Sequence, residues 1–154
     1  MMQLCSTLVM FGFLLIGSGL SAQESSLYKP HTFRSSTNAE LKYQLLSPAA
    51  AAEPGDQKFP LVLFLHGAGE RGADNQAQLK HGTSNFAKAD VREKFPCYVA
   101  APQCSTGKWW NTQADVLVEL IADLQKQHRI DPDRIYVTGL SMGGFGTWEL
   151  LAQK

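Results

Sequence analysis

Ile130-Asp131-Pro132-Asp133-Arg134-Ile135-Tyr136-Val137-Thr138-Gly139-Leu140-Ser141-Met142-Gly143-Gly144-Phe145-Gly146-Thr147-Trp148-Glu149-Leu150 is the stretch whose reading decides the fold. Ile135, Tyr136 and Val137 are β-branched or aromatic and predict a short strand over 134–138. Asp131-Pro132-Asp133 before it predicts a turn that closes a preceding helix. Gly139–Gly144 predicts a tight turn, and Phe145–Gln153 the first turns of a helix. Glycines two before and two after Ser141 let backbones pass closely, so the turn lifts the serine clear of the sheet. The pattern Gly-x-Ser-x-Gly alone is common. Its position between a strand and a helix is what makes it a candidate nucleophile elbow.

Upstream, Val116, Leu117, Leu120, Ile121 and Leu124 fall on one face at helical spacing, with Asn111 or Thr112 as the expected cap. Trp109 and Trp110 belong to the loop before it. Cys97–Ala101 is a short apolar run ended by Pro102, and Phe59–Leu65 is a continuous apolar run suited to a strand buried on both faces. Leu41–Leu45 alternates as a strand does, and Ser47–Lys58 reads as a connecting loop. Strands alternating with helices predict an α/β fold, with a largely parallel sheet flanked by helices.

The Phe59–Leu65 strand runs into His66-Gly67-Ala68-Gly69-Glu70-Arg71-Gly72. A His-Gly loop after a strand is the type that aims a backbone N–H at a tetrahedral intermediate. Ala68 is the expected donor from this loop, and Met142, following the serine, the expected second donor. An ordinary glycine-rich loop is the competing reading. Glu70 and Arg71 either orient a polar substrate group or pair with one another. Trp109 and Trp110 either wall a pocket or anchor a loop.

Together, LVLFLHGAGERG at 61–72, APQC at 101–104 with the tryptophan pair at 109–110, and the 130–150 stretch resemble the α/β-hydrolase superfamily. Within it the chain is most similar to secreted bacterial esterases and peptidase-like proteins of the phospholipase/carboxylesterase and dienelactone-hydrolase groups. The resemblance covers roughly residues 40–154. It implies Ser141 as nucleophile, Ala68 and Met142 as oxyanion donors, and hydrolysis of a small or polymeric ester, or of a peptide, through an acyl-enzyme. It implies no cofactor and no metal.

A serine nucleophile needs a base, and in this superfamily the order along the chain is Ser, then Asp or Glu, then His. His31, His66, His81 and His128 all precede Ser141, and Glu149 is the one acid after it. His66 is nearest in the chain's expected layout but is placed to shape the loop. The expectation is therefore an N-terminal part of a longer hydrolase, truncated after the elbow and inactive by itself. A non-catalytic binding protein on the same fold is the alternative, followed by an α/β domain with no site.

The front end reads as a signal peptide over 1–22. Leu8–Ile16 is apolar except for Gly12, small residues follow, and Leu20-Ser21-Ala22 fits a cleavage site before Gln23. An uncleaved anchor is the competing reading, but the run is short for a membrane span. Residues 23–39 are expected to be a flexible start leading into the first strand, and 40–154 the hydrolase domain, in a secreted or periplasmic protein. With 14 Lys+Arg against 14 Asp+Glu the net charge is zero, which argues against a nucleic-acid partner. Cys97 and Cys104 form a disulfide or remain two thiols; the sequence leaves both open. Metal-binding spacings are absent from the sequence.

Overall fold

The computed structural model describes residues 26–153, so the expected signal peptide lies outside the described residues. Five strands, β1 (Lys29–Arg34), β2 (Glu40–Leu46), β3 (Phe59–Leu65), β4 (Tyr98–Pro102) and β5 (Ile130–Gly139), form one sheet in the order β1-β2-β4-β3-β5. Two short helices, α1 (Ser84–Ala87) and α2 (Ala89–Lys94), precede β4. The longer helices α3 (Ala114–Gln127) and α4 (Met142–Gln153) flank β5 in sequence.

The sheet is mixed rather than largely parallel. β3 runs parallel to both β4 and β5, whereas β1 pairs with β2, and β2 with β4, in antiparallel fashion. The first antiparallel pair follows from its turn. Ser35–Ala39 reverses the chain with Asn38 at φ 62°, and so short a connection cannot make the crossover that a parallel pair requires. The second places β2 beside β4, one strand away from its sequence neighbour β3.

β3 explains why the sheet has two cores. Leu61, Leu63 and Leu65 alternate onto one face and are fully buried against Leu117, Leu120 and Leu124 of α3 and against Trp110. Val62 and Phe64 point to the other face and pack with Leu46, Leu79, Ala87 and Val99. The α3 face is therefore the one its spacing predicts. Its start differs: Trp110–Gln113 forms a 3₁₀ turn first, and no side chain caps the helix. Thr112 Oγ1 instead donates to the Trp109 carbonyl, which keeps it from capping.

Asp131-Pro132-Asp133 is a bulge inside β5, not a turn before it. The pairing steps from Phe59–Ile130 to Leu61–Ile135, and Asp131 Oδ1 accepts the Asp133 N–H at 3.0 Å. The connection 47–58 carries a 3₁₀ turn, Ala49–Ala52, whose carbonyls at Ala50 and Ala51 accept from the Arg129 guanidinium. Among the described residues Cys97 and Cys104 are both free. They lie on either side of β4, a fully extended strand, and about 3.3 Å of rise per residue separates them far beyond disulfide reach. Among the described residues no helix is long and apolar enough to cross a membrane.

Beyond β5 the molecule is unusually apolar on its outside. Tyr136 on that edge strand and Phe145, Trp148 and Leu151 on α4 are all more than half exposed.

Candidate active site

The elbow is built by close backbone packing. The Leu140 N–H donates to the Leu65 carbonyl at 3.0 Å, which fixes the end of β5 beside β3. The chain then reverses at Ser141, whose φ of 53° is in the left-handed region rarely adopted by residues other than glycine. A non-glycine residue held there stores strain, and such strain clusters at functional sites. The Gly143 N–H closes the turn on the Leu140 carbonyl at 2.8 Å, and the Phe145 N–H reaches the Ser141 carbonyl at 3.2 Å. A Cβ on Gly139 would come within 2.5 Å of the Gly143 carbonyl, and one on Gly143 would overlap the Leu65 carbonyl. Both motif glycines are thus required by sterics. Ser141 itself is exposed at the start of α4.

The His-Gly loop lies against this elbow. A Cβ built on Gly67 would sit 3.7 Å from the Ser141 Cβ and 3.5 Å from the Leu140 carbonyl. Ala68 opens a 3₁₀ turn, Ala68–Glu70, and Met142 opens α4. Neither N–H has an acceptor within its own helical turn, because the first N–H groups of a helix point outward by construction. The structure therefore brings Ser141, Ala68 and Met142 to one end of the sheet.

His66 holds the loop and is unavailable as a base. Its ring is buried, and Nε2 accepts the Cys104 N–H at 2.9 Å. An amide N–H can only donate, so Nε2 carries no proton, and Nδ1–H donates to the Gly67 carbonyl at 2.6 Å. The His66 carbonyl accepts from Trp110 Nε1 at 3.0 Å, and the two rings meet edge to face. Taking a proton from Ser141 would need a free ring nitrogen, and His66 has none.

Two of the remaining histidines sit away from the elbow. His31 stacks on Tyr43 at the far edge of the sheet. His128 lies against Tyr98 before β5 begins, at the opposite end of that strand from Ser141. His81 is half exposed, with Nε2 3.7 Å from Glu70 Oε1.

Burial lowers the His66 pKa; the Gly67 hydrogen bond and Glu70 oppose this, and Arg71 adds to the lowering. Burial likewise lowers that of His128. The unfolded chain then binds protons that the folded chain refuses. Stability is full above the unfolded value, about 6.5, and is lost as pH falls from there toward the depressed folded values. Urea midpoints are expected to be flat from pH 8 to 7 and to fall between about pH 6.5 and 5. His66→Gln should make that fall shallower; an unchanged pH slope in the variant would exclude His66 as a contributor. Asp74 and Asp131, whose pKa values are lowered by hydrogen bonds, act only nearer the carboxylate range of about 4 and leave this window clear.

Sequence reasoning missed the buried polar network behind the loop. Gln103 Oε1 accepts the Asn75 N–H at 2.7 Å, and its Nε2 donates to the Glu70 carbonyl at 3.2 Å. Asn75 in turn donates to the Tyr43 carbonyl and accepts from Gln78. These residues tie the loop to β2 and β4, and only the polar character of the 68–81 segment pointed to them. Glu70 and Arg71 do not pair with each other. Arg71 Nε donates to the Ala68 carbonyl at 3.0 Å, and its guanidinium lies over the Trp109 ring. Trp110 is a buried anchor, whereas Trp109 is half exposed. Both border a cavity of about 260 Å³ together with Met142, Phe145 and Gly146.

A solved structure of a thermostable esterase superposes with a TM-score of 0.79 at 35% identity, covering 85% of this chain and 39% of that one. In fold and sequence the chain is similar to members of the α/β-hydrolase superfamily. A ferulic acid esterase shares the fold at 20% identity and a TM-score of 0.62, over 78% of this chain and 52% of that one. In sequence, poly(3-hydroxyalkanoate) depolymerase C of Paucimonas lemoignei is 31% identical over 108 residues, which are 60% of this chain and 24% of the depolymerase. No family model matches the chain. The chain thus spans well under half the length of the thermostable esterase and about a quarter of the depolymerase.

Proposed function

We propose that this chain carries the nucleophile and oxyanion half of an exported serine hydrolase acting on carboxylic esters. The observation that carries the reading is the strained Ser141 elbow packed against the His66-Gly67 loop, with the N–H groups of Ala68 and Met142 opening two helical turns beside it. Ser141 Oγ attacks the ester carbonyl, and the carbonyl oxygen takes up negative charge between the two N–H donors. Each such donor contributes about 10²–10³-fold in rate. Collapse expels the alcohol and leaves an acyl-serine, which water hydrolyses to the free acid.

The proton on Ser141 needs a base; His66 is locked, His31 and His128 lie away from the elbow, and the half-exposed His81 faces the Glu70 carboxylate. We assign the acid and histidine to sequence beyond Lys154, and hold residues 1–154 alone to be inactive. The exposed Tyr136, Phe145, Trp148 and Leu151 support this, because large apolar side chains gathered on one edge strand and the helix after it are normally covered. The likeness to the esterase and the depolymerase supports an ester as substrate. The apolar run at 8–16 and the small residues after it support export through a signal cleaved after Ala22.

A fluorophosphonate probe applied to the full-length protein tests the mechanism. One label per chain on Ser141, lost in Ser141→Ala and slow in residues 23–154 alone, is the expected result. A well-folded full-length protein that takes no label would overturn the reading. Recovery of the uncleaved chain in the cytoplasm would overturn the export assignment.

A further inference from the structure

We infer that Glu70 is a specificity-determining acceptor for a hydroxyl or ammonium group carried close to the scissile carbonyl. This rests on the ester-hydrolase reading above. The Glu70 side chain is nine-tenths buried, and its Oε1 lies 3.7 Å from Nε2 of the half-exposed His81. Arg71, next in sequence, is committed to the Ala68 and Lys108 carbonyls and to Trp109. A carboxylate drawn that far out of solvent calls for a donor partner.

Its position supplies the reason. A Cβ built on Gly67 would lie 3.0 Å from Glu70 Oε2 and 3.7 Å from the Ser141 Cβ, so carboxylate and nucleophile flank the same point. The main chain that carries the carboxylate is fixed. The Glu70 N–H is held by the Gly67 carbonyl at 3.3 Å, and its own carbonyl by Gln103 Nε2 at 3.2 Å.

A bare carboxylate next to a place where negative charge develops opposes the reaction. A substrate donor bound between the two cancels that opposition and gains a charge-assisted hydrogen bond. Substrates without the donor keep the penalty. A site built this way discriminates by more than a hydrophobic pocket does, because its polar group is left unpaired by the wrong substrate. Hydroxyl and ammonium groups share the donor chemistry, and charge separates them: the ammonium depends on the full negative charge, the hydroxyl only on an acceptor.

Fluorophosphonates with a propyl, 2-hydroxypropyl or 2-aminopropyl group on phosphorus test this in the full-length protein. The readout is the ratio of labelling rate constants at Ser141, donor-bearing probe over propyl probe. The ratio is independent of the folded fraction, and its wild-type value needs no variant. A wild-type ratio of about ten or more for one donor probe is expected. It should collapse toward one in Glu70→Met. In Glu70→Gln it should collapse for the amino probe and persist in part for the hydroxyl probe, which identifies the donor. A wild-type ratio near one, or a ratio that survives in Glu70→Met, overturns the role of Glu70 while leaving the serine hydrolase intact. Failure of every probe to label overturns both.

Discussion

Ser141→Ala in the full-length protein is expected to lower kcat/KM for a p-nitrophenyl ester by about 10⁵-fold or more, with KM little changed. The expectation follows from what the alanine removes and what it leaves. Oγ is lost, and with it the acyl-enzyme route. The elbow stays, because its turn is set by the glycines at 139 and 143 and by the bond from the Leu140 N–H to the Leu65 carbonyl. The Ala68 and Met142 N–H groups also stay in place. Such preserved donors explain why serine variants of hydrolases keep a residual 10³–10⁴-fold rate over water. A loss of less than tenfold would mean that another group attacks the carbonyl. A loss accompanied by a large rise in KM would instead point to a binding role for the hydroxyl.

The two halves of that argument were unequally legible in the sequence. The elbow was legible because its constraints are local. Gly139, Ser141 and Gly143 sit within five residues, and the sterics that demand glycine there act between adjacent turns and the neighbouring β3. The His66-Gly67 loop was legible for the same reason, as was the buried face of α3, where Leu117, Leu120 and Leu124 repeat at helical spacing. The sheet's mixed pairing was not. Nothing within Glu40–Leu46 states that β2 will lie beside β4, since the contact joins segments more than fifty residues apart. Glu70 shows the limit at the site. A glutamate beside an arginine in a polar loop reads equally as a substrate contact or as half of a pair, and its burial depends on Gln103 and Asn75 drawing the loop onto the sheet. His66 shows the opposite case: its place at the head of the loop already argued for a shaping role, and the Cys104 N–H against Nε2 agrees with it.

Strain at the elbow has a consequence that stability measurements reach without any substrate. Gly143→Ala is expected to destabilise the fold by about 3–5 kcal/mol, the range of the most damaging single substitutions. The added Cβ would overlap the Leu65 carbonyl carbon and oxygen and press on the His66 carbonyl. These are backbone atoms of a central strand, so no flexible side chain can move aside. Relief requires α4 to lift away from β3, which breaks the Gly143-to-Leu140 bond and withdraws Met142 from the core. The adjacent Gly144 is the control. A Cβ there meets only the Gly139 carbonyl oxygen at 3.7 Å, an ordinary contact, and the residue lies within the helix. Gly144→Ala should therefore be neutral or stabilising by up to about 1 kcal/mol, through the usual helical preference for alanine over glycine. Urea unfolding of the two variants separates the readings. Equal destabilisation would mean that glycine is required throughout the turn for flexibility. A loss confined to position 143 means that it is required for the close approach of α4 to β3, which sets the height at which Ser141 stands above the sheet.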